Sequence, residues 1–584
     1  MPGFHFAYIM LVMDNIPTIP EMLKASAEKF RGLTALQMKD PSGNYRKISY
    51  LEFYGSLQKI SSFLFDSGIK HGGRIALLSE NRPEWPMVYF GVTSIGAIIV
   101  PLDPKLESEE LFSLLSDSGS EIVFCSGEQA QKIEKLRPRL PLLKKAVNLD
   151  ADIDKILTLP LDPARLRSPQ ACPLPLAAVA PDDIAAIIYT SGTTGNPKGV
   201  MLSHKNIMSN VIGIDPLFHM IGPGDNFLSI LPNYHTFETT AGMFCPIFKG
   251  ASITYAESLK SYHLLNNMQE TKVTLICGVP LLYKLFLDGI KRQVEEKGIA
   301  ARVLFRVFLC ISMYFKVFLR INIGKHLFGF IQNKFGGHIK FFVSGGAPLD
   351  PKIIKEFDLM GFTILQGYGL TETSPILAAC TMDNNVFGSV GRPLPGVDIK
   401  IHAPNREAVG EIMAKGPNIM KGYYNDPGAT SEAIMDGWFR TGDLGRLDAK
   451  GNLYITGRSK DLIVLGSGKN VYPDEVEFVI SKSPFIKEIC VFGSKIMSGI
   501  RQGMEEVHAA IVPDMDKMAD WVTKRGLELN DSTVRTVIGE EVENWGKLLT
   551  PHKRIARYYI AEGELPKTAT KKIKRFAVKE SYSK

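Results

Sequence analysis

One glycine- and hydroxyl-rich stretch constrains this chain more than any other: residues 189–200 are YTSGTTGNPKGV. Apolar runs at 184–188 and 200–202 flank it, which predicts a strand, a loop and a second strand. Glycines let a backbone adopt positive φ and approach a ligand closely, and amide and hydroxyl donors in such a loop can surround a polyphosphate. The candidate contacts are Thr190, Ser191, Gly192, Thr193, Thr194, Gly195 and the cation Lys198.

Two other interpretations of this stretch need weighing. A glycine-rich hairpin without a ligand has the same composition, and the stretch alone leaves that alternative open. The P-loop signature is absent, because the residues after Gly192 do not give G-x-x-x-x-G-K-[ST] and the predicted exit is a strand rather than a helix. The pattern therefore disfavours a kinase or GTPase of the P-loop type.

The stretch resembles the phosphate-binding motif of the adenylate-forming superfamily, which includes acyl-CoA synthetases, firefly luciferase and adenylation domains of nonribosomal peptide synthetases. The resemblance implies that the chain binds ATP, Mg²⁺ and CoA, with Thr190 among the metal ligands. It also implies a two-step ligase. A carboxylate and ATP first give acyl-adenylate and pyrophosphate, and a CoA thiol then displaces AMP.

Length and apolar periodicity predict the fold class. A chain of 584 residues with 45% hydrophobic content exceeds one ordinary core, so we expect at least two globular domains. Alternating helices and strands near the N-terminus predict a parallel sheet covered by helices. The predicted segments are helices 19–30, 50–67 and 85–95 and strands 74–78 and 98–102.

The expected class is therefore α/β, with a large N-terminal domain of helix-covered sheets and a smaller C-terminal domain. Short strands and turns over residues 388–445 predict a small β-rich subdomain within the first domain. The resemblance places the boundary at GRSKDLI, residues 457–463. This gives an N-terminal adenylation domain, 1–459, and a mobile α+β C-terminal domain, 460–584.

The cysteines and the N-terminal residues indicate where in the cell the protein is expected to act. Seven scattered cysteines without metal-ligand spacing predict reduced thiols in a cytoplasmic protein. The apolar first thirteen residues lack the basic region and cleavage site of a signal peptide, and no run of 18 uncharged apolar residues predicts a membrane span. We expect no nucleic-acid partner. The oligomeric state stays open.

A basic and apolar insert accounts for the net charge of +7, because residues 297–349 contain eight lysines and arginines and no acidic residue. On a continuous helix, Arg302, Arg306, Lys316 and Arg320 fall within about 80° of arc at 100° per residue. Such a stripe suits peripheral contact with an anionic membrane, on the inner face of the cell membrane. A helix packed against an acyl tunnel, with its cations in solvent, is the alternative.

Three further motifs match the superfamily in order. LPNYHTFE, residues 231–238, places His235 where the family has an aromatic or histidine side chain beside the carboxylate, although a lone histidine is more often structural. SGGAPLD and GYGLTETSP, residues 344–350 and 367–375, match the nucleotide pocket. By resemblance, Gly345, Gly346 and Ala347 line the adenine pocket and Tyr368 stacks on the ring. Gly367 and Gly369 are further candidate nucleotide-binding residues.

The acidic residue of GYGLTETSP is the principal metal candidate. By resemblance Thr371 contacts phosphate and Glu372 holds Mg²⁺, whose preference is for hard oxygen ligands beside phosphates. A solvated glutamate is the alternative. Further along, Asp443 in GWFRTGDLG matches the aspartate that accepts hydrogen bonds from both ribose hydroxyls, with a plain turn aspartate as its alternative.

The predicted C-terminal domain supplies the remaining candidates. Arg458 matches a nucleotide-contacting arginine and Lys460 the hinge about which this domain swings. The loop from residue 464 to 477 resembles the thiolation segment, with Gly466, Gly468 and Lys469 beside a pantetheine arm. LPKTATKKIKR, residues 565–575, selects Lys572 as the catalytic lysine. Lys571 stands where the family has glycine, so either lysine, or a solvated basic tail, fits this string.

The combined motifs predict a fatty acid–CoA ligase. The insert and the strings SGGAPL and GKNVYP resemble long-chain enzymes, although the residues after His235 lack the tryptophan that gates the tunnel in some relatives. Medium-chain or aromatic acids therefore stay open. The alternatives are an acyl-acyl carrier protein synthetase and a non-catalytic lipid- or nucleotide-binding protein at membranes.

Overall fold

The chain divides into two compact units. The computed structural model describes residues 16–160, 179–190, 197–466, 469–496, 503–567 and 573–582. The first unit comprises Met1–Ile399, Ala414–Phe439 and Ala449–Leu453, and the second comprises Lys400–Met413, Arg440–Asp448 and Tyr454–Lys584. The second unit thus takes in residues 400–413, 440–448 and 454–459, which lie on the N-terminal side of the predicted boundary.

A seven-stranded sheet of the first unit carries the phosphate motif. Five of its strands run parallel, and the strands on either side of the motif pair antiparallel, which confirms the two predicted strands. In order across the sheet, the strands are Gly422–Tyr423, Lys198–Ser203, Ile184–Thr190, Ile98–Leu102, Arg74–Leu78, Ile122–Cys125 and Lys145–Asn148.

A nine-stranded sheet of the same unit carries the predicted adenine segments. Its six central strands are parallel, and the outer ones pair antiparallel. In order, the strands are Arg392–Pro393, Ile376–Ala379, Ile364–Gly369, Phe341–Ser344, Leu275–Gly278, Asn226–Ser229, Ser252–Tyr255, Thr34–Lys39 and Tyr45–Ser49. Open parallel sheets bind ligands beyond the carboxyl ends of their strands, so this edge is where a site is expected.

Helices cover both sheets. Ten consecutive residues, Glu84–Thr93, form a helix with every side chain buried, because its apolar residues surround the axis and only a core can accept them all. Ser203 caps the helix after the phosphate motif by accepting a hydrogen bond from the Asn206 amide. The α-helices of this unit are Ile19–Phe30, Tyr50–Asp66, Glu84–Thr93, Ser108–Ser118, Gly127–Leu136, Ile153–Thr158, His204–Ile214, Cys245–Lys249, Ser261–Glu270, Pro280–Glu296, Ile299–Tyr314, Gly324–Leu327, Gly329–Lys334, Pro351–Leu359 and Pro427–Ala433.

The basic insert is a surface helix with a distorted end. The α-helix Ile299–Tyr314 passes into a π-helical turn, Phe315–Leu319, and Arg320 adopts a left-handed conformation with φ of 57°. The prediction of one continuous helical face from residue 302 to 320 was therefore wrong at its C-terminal end. Lys316 forms an ion pair with Asp358 and is half-buried, whereas the other three cations are exposed.

The exposed side of the insert is largely apolar. Ser312 is the one buried residue of Ile299–Tyr314. The large apolar side chains that face solvent are Ile299, Val303, Leu304, Val307, Ile311, Met313, Tyr314, Val317, Phe318, Leu319 and Ile321. Within the described ranges, no helix combines the length and the apolar content that a membrane crossing requires.

The second unit is smaller and of α+β type. Ile486–Lys495 pairs antiparallel with Glu505–Pro513, which runs parallel to Arg557–Ile560. Its helices are Pro473–Ile480, Met515–Thr523, Asp531–Gly546 and Arg575–Tyr582. Its strands Ile463–Val464 and Asn470–Val471 form a separate pair. A five-stranded sheet has the order Asp398–His402, Gly410–Lys415, Trp438–Leu447 and Ile434–Met435, with Leu453–Arg458 paired to Trp438–Leu447, and its strand Ile434–Met435 belongs to the first unit.

The described cysteines agree with a reduced protein. Six of the seven fall in the described ranges, and each of these six is a free thiol. Cys310 on the insert is exposed and the other five are buried. Burial raises the pKa of Cys125, Cys245 and Cys490 to about 12, so these thiols stay protonated and act as core side chains.

Candidate active site

The two ends of the phosphate loop are held together by strand pairing. Thr190 lies opposite Lys198 and Tyr189 opposite Gly199 in the antiparallel ladder. Gly199 has no room for a side chain, since an added Cβ would lie 2.9 Å from Ile187 Cγ2. Ser191, Gly192, Thr193, Thr194 and Gly195 lie outside the described residues, and their phosphate contacts stay predictions.

Glu372 is connected to this loop through one tyrosine. Tyr423 pairs with Val200 on the strand that leaves the loop, and its hydroxyl donates a 2.9 Å hydrogen bond to Glu372 Oε1. Lys198 Nζ lies 5.1 Å from the centre of the same ring. The structure therefore brings Lys198, Tyr423 and Glu372 together beside Thr190.

Tyr423 is a site residue that the sequence did not predict. Burial and the neighbouring Glu372 carboxylate raise the pKa of Tyr423, which keeps its hydroxyl protonated and able to donate. Residue 423 belongs to the string GYYNDP, whose composition indicates only a strand and a turn. Its role follows from pairing with a strand more than 200 positions away, which no local pattern reports.

Glu372 also has the chemistry of a magnesium ligand. A carboxylate offers about four acceptor positions, and the hydrogen bond from Tyr423 occupies one of them. Mg²⁺ bound with phosphates uses one or two carboxylates together with substrate and water oxygens. Glu372 and the Thr190 hydroxyl are hard oxygen donors of this kind, so the residues present fit the metal.

The predicted adenine segments lie at one edge of the nine-stranded sheet. Phe341–Ser344 and Ile364–Gly369 are parallel neighbours, with Ser344 opposite Gln366, so Gly345, Gly346 and Ala347 follow the first strand where the second strand ends. Gly346 has φ of 80°, and it is exposed together with Ala347. Two glycine-containing backbone segments side by side are what a slot for a planar ring requires.

The end of the second strand leaves no room for a side chain at Gly369. A Cβ on Gly369 would lie 1.7 Å from the Pro375 carbonyl oxygen, which is an impossible contact with backbone. Gly367 and Tyr368 precede it on the same strand, where Tyr368 pairs with Ala378. Thr371 and Glu372 then form the short 3₁₀ helix Thr371–Thr373. The strand end thus sets the distance between the ring slot and the metal candidate.

The His235 motif lies against the same slot. A Cβ on Gly345 would be 3.1 Å from Phe237 Cζ, so the ring of Phe237 packs on the first glycine of the adenine segment. His235 is half-buried, its ring centre lies 4.4 Å from that of Tyr234, and its carbonyl accepts from Thr239 Oγ1 at 3.0 Å. The motif therefore lies beside the nucleotide segments, as its order in the chain predicts.

The motif ends with a buried carboxyl group, Glu238, and the sequence did not predict this burial. Glu238 begins the π-helix Glu238–Phe244, is 1% exposed, and accepts a 2.7 Å hydrogen bond from Ser229 Oγ. Its carboxyl group packs against Gly242, where an added Cβ would lie 2.6 Å from Glu238 Cδ. Burial raises the pKa of Glu238 to about 8, so the group is mostly protonated at neutral pH.

In the second unit, the ribose candidate and the arginine predicted to contact the nucleotide are neighbours. Arg458 Nε lies 3.1 Å from Asp443 Oδ1, and the Asp443 amide donates to Thr441 Oγ1 at 3.1 Å. Asp443 is buried, whereas Arg458 is exposed. Lys460 lies in the 3₁₀ turn Ser459–Asp461 immediately after them, and Ser459 Oγ donates to the Gly442 carbonyl at 3.0 Å.

The thiolation segment is described only in part. The Leu465 amide donates to the Lys469 carbonyl at 3.0 Å, and a Cβ on Gly466 would lie 2.2 Å from Met504 Sδ. Gly468 lies outside the described residues. The candidate lysines Lys571 and Lys572 also lie outside them, between the described residues Lys567 and Ile573.

Comparison with known proteins decides the family. The family model for AMP-binding enzymes matches residues 23–424, which is more than half of the 584-residue chain. The chain belongs to the AMP-binding enzyme family. Among solved structures, the crystal structure of ATP-bound MatB from Rhodopseudomonas palustris is 26% identical, covers 97% of this chain and 99% of its own, and superposes with a TM-score of 0.73.

Relatives of this AMP-binding enzyme include proteins named for two thiol acceptors. Fatty acyl-CoA synthetase A of Dictyostelium discoideum is 30% identical, and the match covers 88% of this chain and 79% of the relative. Long chain acyl-CoA synthetase 7, peroxisomal, of Arabidopsis thaliana is 28% identical, and the match covers 86% of this chain and 75% of the relative. The chloroplastic long-chain-fatty-acid–[acyl-carrier-protein] ligase of Arabidopsis thaliana is 28% identical over 90% of this chain and 80% of its own.

The region that the AMP-binding family model matches contains only some of the candidate site residues. It includes the phosphate loop, the adenine segments, His235 and Glu372. It ends at residue 424, before Asp443, Arg458 and Lys460. The roles assigned to those residues and to Lys572 are therefore carried by the sequence motifs alone and stay predictions.

Proposed function

We propose that this AMP-binding enzyme is an ATP-dependent ligase that converts a long-chain fatty acid to its CoA thioester. A fatty carboxylate oxygen attacks the α-phosphorus of ATP, the bond to the β-phosphate oxygen breaks, and acyl-adenylate and pyrophosphate form. The CoA sulfur then attacks the acyl carbon and AMP leaves. The observation that carries the proposal is the convergence of Thr190, Lys198 and Glu372 around Tyr423 within the family's core.

Charge neutralisation is the main task in the first step, because a carboxylate and a triphosphate repel each other. Lys198 places a cation at the loop, and the loop amides and hydroxyls are donors to phosphate oxygens. Glu372 and Thr190 are the proposed ligands of Mg²⁺, which when bound supplies Lewis-acid stabilisation of phosphate oxygens. Lys572 is proposed to bridge the carboxylate and the α-phosphate and to neutralise the negative charge of both groups as they approach.

The second step is proposed to use the same site after a domain movement. Lys460 is the hinge, and rotation about it would withdraw Lys572 and present Gly466, Gly468 and Lys469 to the pantetheine arm of CoA. No covalent enzyme intermediate is needed, because the acyl-adenylate is already an activated mixed anhydride. A single site with alternating faces therefore serves both steps.

We expect pyrophosphate release to depend on both a long-chain acid and a thiol. The measurement uses acids from acetate to oleate, plus benzoate, each with and without CoA. Long chains should give the fastest turnover, and CoA should sustain it, since acyl-adenylate otherwise stays in the site. Absence of release with every acid would contradict catalysis and favour a non-catalytic lipid- or nucleotide-binding protein.

The acceptor has a second candidate, because one relative is named an acyl-carrier-protein ligase. The same assay therefore includes acyl carrier protein in place of CoA. Faster turnover with the carrier protein than with CoA would replace the proposed acceptor while leaving the adenylation step intact. Equal release without any thiol would contradict thioester formation altogether.

We also propose that the insert holds the enzyme on the cytoplasmic face of an anionic membrane, where long-chain acids are dissolved. Large apolar side chains of Ile299–Tyr314 and Phe315–Leu319 face solvent, and an exposed apolar patch of this kind indicates an interaction surface. Three exposed cations, Arg302, Arg306 and Arg320, accompany this patch. Apolar side chains with flanking cations fit an interfacial lipid layer.

Replacement of Arg302, Arg306 and Arg320 by glutamine should weaken binding to vesicles containing phosphatidylglycerol. Each cation near an anionic surface contributes about 1 kcal/mol, so three should lower the partition coefficient about 10²-fold. Sedimentation with vesicles measures it. A matched control replaces three exposed lysines elsewhere, Lys24, Lys47 and Lys70, and removes the same charge. Equal partitioning of both variants would contradict the proposed surface.

A further inference from the structure

The side chain of Asn81 joins the two sheets of the first unit. Asn81 follows the strand Arg74–Leu78 of the seven-stranded sheet, and its partners begin where a strand of the nine-stranded sheet ends, at Ser229. Its Nδ2 donates to Ser229 Oγ at 2.9 Å and to the Leu231 carbonyl at 2.5 Å, and its Oδ1 accepts from the Asn233 amide at 2.8 Å. One side-chain amide therefore holds the chain as it enters the motif LPNYHTFE.

The partners of this amide fix its orientation. In the reverse orientation, the side-chain oxygen would face the Leu231 carbonyl and the side-chain nitrogen would face the Asn233 N–H, and both contacts are repulsive. Asn81 is half-buried, whereas Ser229 and Asn233 are buried, so water competes little for these groups. The position therefore requires a side chain with two donors and an acceptor at this reach.

The same hydrogen bonds continue to the far end of the motif. Ser229 Oγ, which accepts from Asn81, donates to Glu238 Oε1 at 2.7 Å. The next residue, Thr239, donates through Oγ1 to the His235 carbonyl at 3.0 Å. Buried side chains thus hold the motif on both sides of His235, and Asn81 is the member that comes from the other sheet.

The turn that carries Asn81 is itself anchored by charge. Arg82 Nε lies 2.8 Å from Glu84 Oε2, and the same guanidinium pairs with Asp150. Glu84 is buried and begins the wholly buried helix Glu84–Thr93. Hydrogen bonds between ionised groups are stronger than neutral ones, so Asn81 is presented from a rigid support.

We propose that Asn81 is a positioning residue for the fatty acid, because it holds the His235 motif where the acid's carboxylate binds. The inference rests on the proposed function, in which His235 lies beside that carboxylate. The candidate ATP contacts Thr190, Lys198 and Glu372 lie on other segments of the chain. Loss of the Asn81 hydrogen bonds should therefore weaken use of the acid and leave use of ATP unchanged.

The test is Asn81→Asp in the full-length chain, which keeps the shape and the acceptor but removes both donors and places a negative oxygen against the Leu231 carbonyl. Steady-state pyrophosphate release is measured with CoA, varying oleate at saturating ATP and ATP at saturating oleate. The kcat/KM for oleate should fall about 10²-fold with a raised KM, a cost that a displacement of about 1 Å can have, while the KM for ATP changes less than about twofold.

Asn226→Asp is the matched control, because Asn226 is a buried asparagine at the opposite end of the strand that ends at Ser229. Its Nδ2 donates to the Thr271 carbonyl at 2.8 Å and its Oδ1 accepts from Thr254 Oγ1 at 3.0 Å. The substitution should lower the melting temperature and leave the KM values for oleate and ATP at their wild-type levels. A purely structural role of Asn81 would give the same pattern.

Ser229→Ala gives a second, milder test. It removes the link between Asn81 and Glu238 and leaves the Asn81 hydrogen bonds to Leu231 and Asn233 in place. The kcat/KM for oleate should fall about tenfold, the cost of one buried polar group left without its partner, with the KM for ATP unchanged. This variant decides the case if Asn81→Asp does not fold.

Melting temperatures of all variants accompany the rates. A folded Asn81→Asp chain with an unchanged KM for oleate, or with the KM values for oleate and ATP raised equally, would overturn the positioning role. If only Ser229→Ala folds, either result there would overturn it in the same way. A wild-type chain that releases no pyrophosphate with any acid would instead overturn the proposed function.

Discussion

Lys572→Ala should abolish adenylate formation while sparing thiolation of supplied acyl-adenylate. The ammonium is proposed to neutralise the carboxylate and the α-phosphate as they approach, and removal of one such preorganised donor typically costs about 10²- to 10³-fold in rate. In thiolation, the CoA sulfur attacks the uncharged acyl carbon of the adenylate, and the C-terminal domain is proposed to present another face. The second half-reaction should therefore continue at the wild-type rate. Pyrophosphate release and acyl-CoA formation are measured separately.

Lys571→Ala is the matched control, because it removes the same charge one residue earlier. We expect it to retain adenylation within about threefold, since a cation contributes little to a reaction whose groups it does not contact. If Lys571→Ala is inactive and Lys572→Ala is normal, the motif is shifted by one position. Normal adenylation by both variants would contradict the assignment of a catalytic lysine to this segment.

Periodicity predicted most of the local structure of the first unit. The helix 19–30 and the strands 74–78 and 98–102 have the bounds that the sequence indicates, since buried parallel strands are short continuous apolar runs and surface helices show a clear apolar face. The end of the insert helix at Tyr314 was missed. Its apolar residues continue to Leu319 without a glycine or proline, so nothing in the pattern indicates the π-helical turn.

Site residues that lie in one continuous motif could be predicted from the sequence. Site residues that are brought in by packing could not. The hairpin of Thr190 and Lys198 follows from local composition. Tyr423 depends on pairing with Val200, and the burial of Glu238 depends on Ser229 and on the absence of a side chain at Gly242. Both are long-range or steric relations, and one sequence contains no periodic signal for either.

Glu372→Gln should lower adenylation about 10²- to 10³-fold, which is the second large effect expected. Glutamine has the same shape and still accepts the hydrogen bond from Tyr423, so the local fold should persist with an unchanged melting temperature. What the substitution removes is the negative oxygen that a hard divalent cation requires beside phosphate. The measurement is the rate of pyrophosphate release across a Mg²⁺ titration, where the variant should need higher Mg²⁺ for half-maximal rate.

The control for this prediction separates the metal from the hydrogen bond. Tyr423→Phe removes the hydroxyl that donates to Glu372 and keeps the ring near Lys198. One lost hydrogen bond to a charged group costs about 1.5–3 kcal/mol at most, so its rate should fall less than that of Glu372→Gln and its Mg²⁺ dependence should change little. If both variants lose the same activity at every Mg²⁺ concentration, Glu372 acts by orienting Tyr423, and the metal ligand lies elsewhere in the phosphate loop.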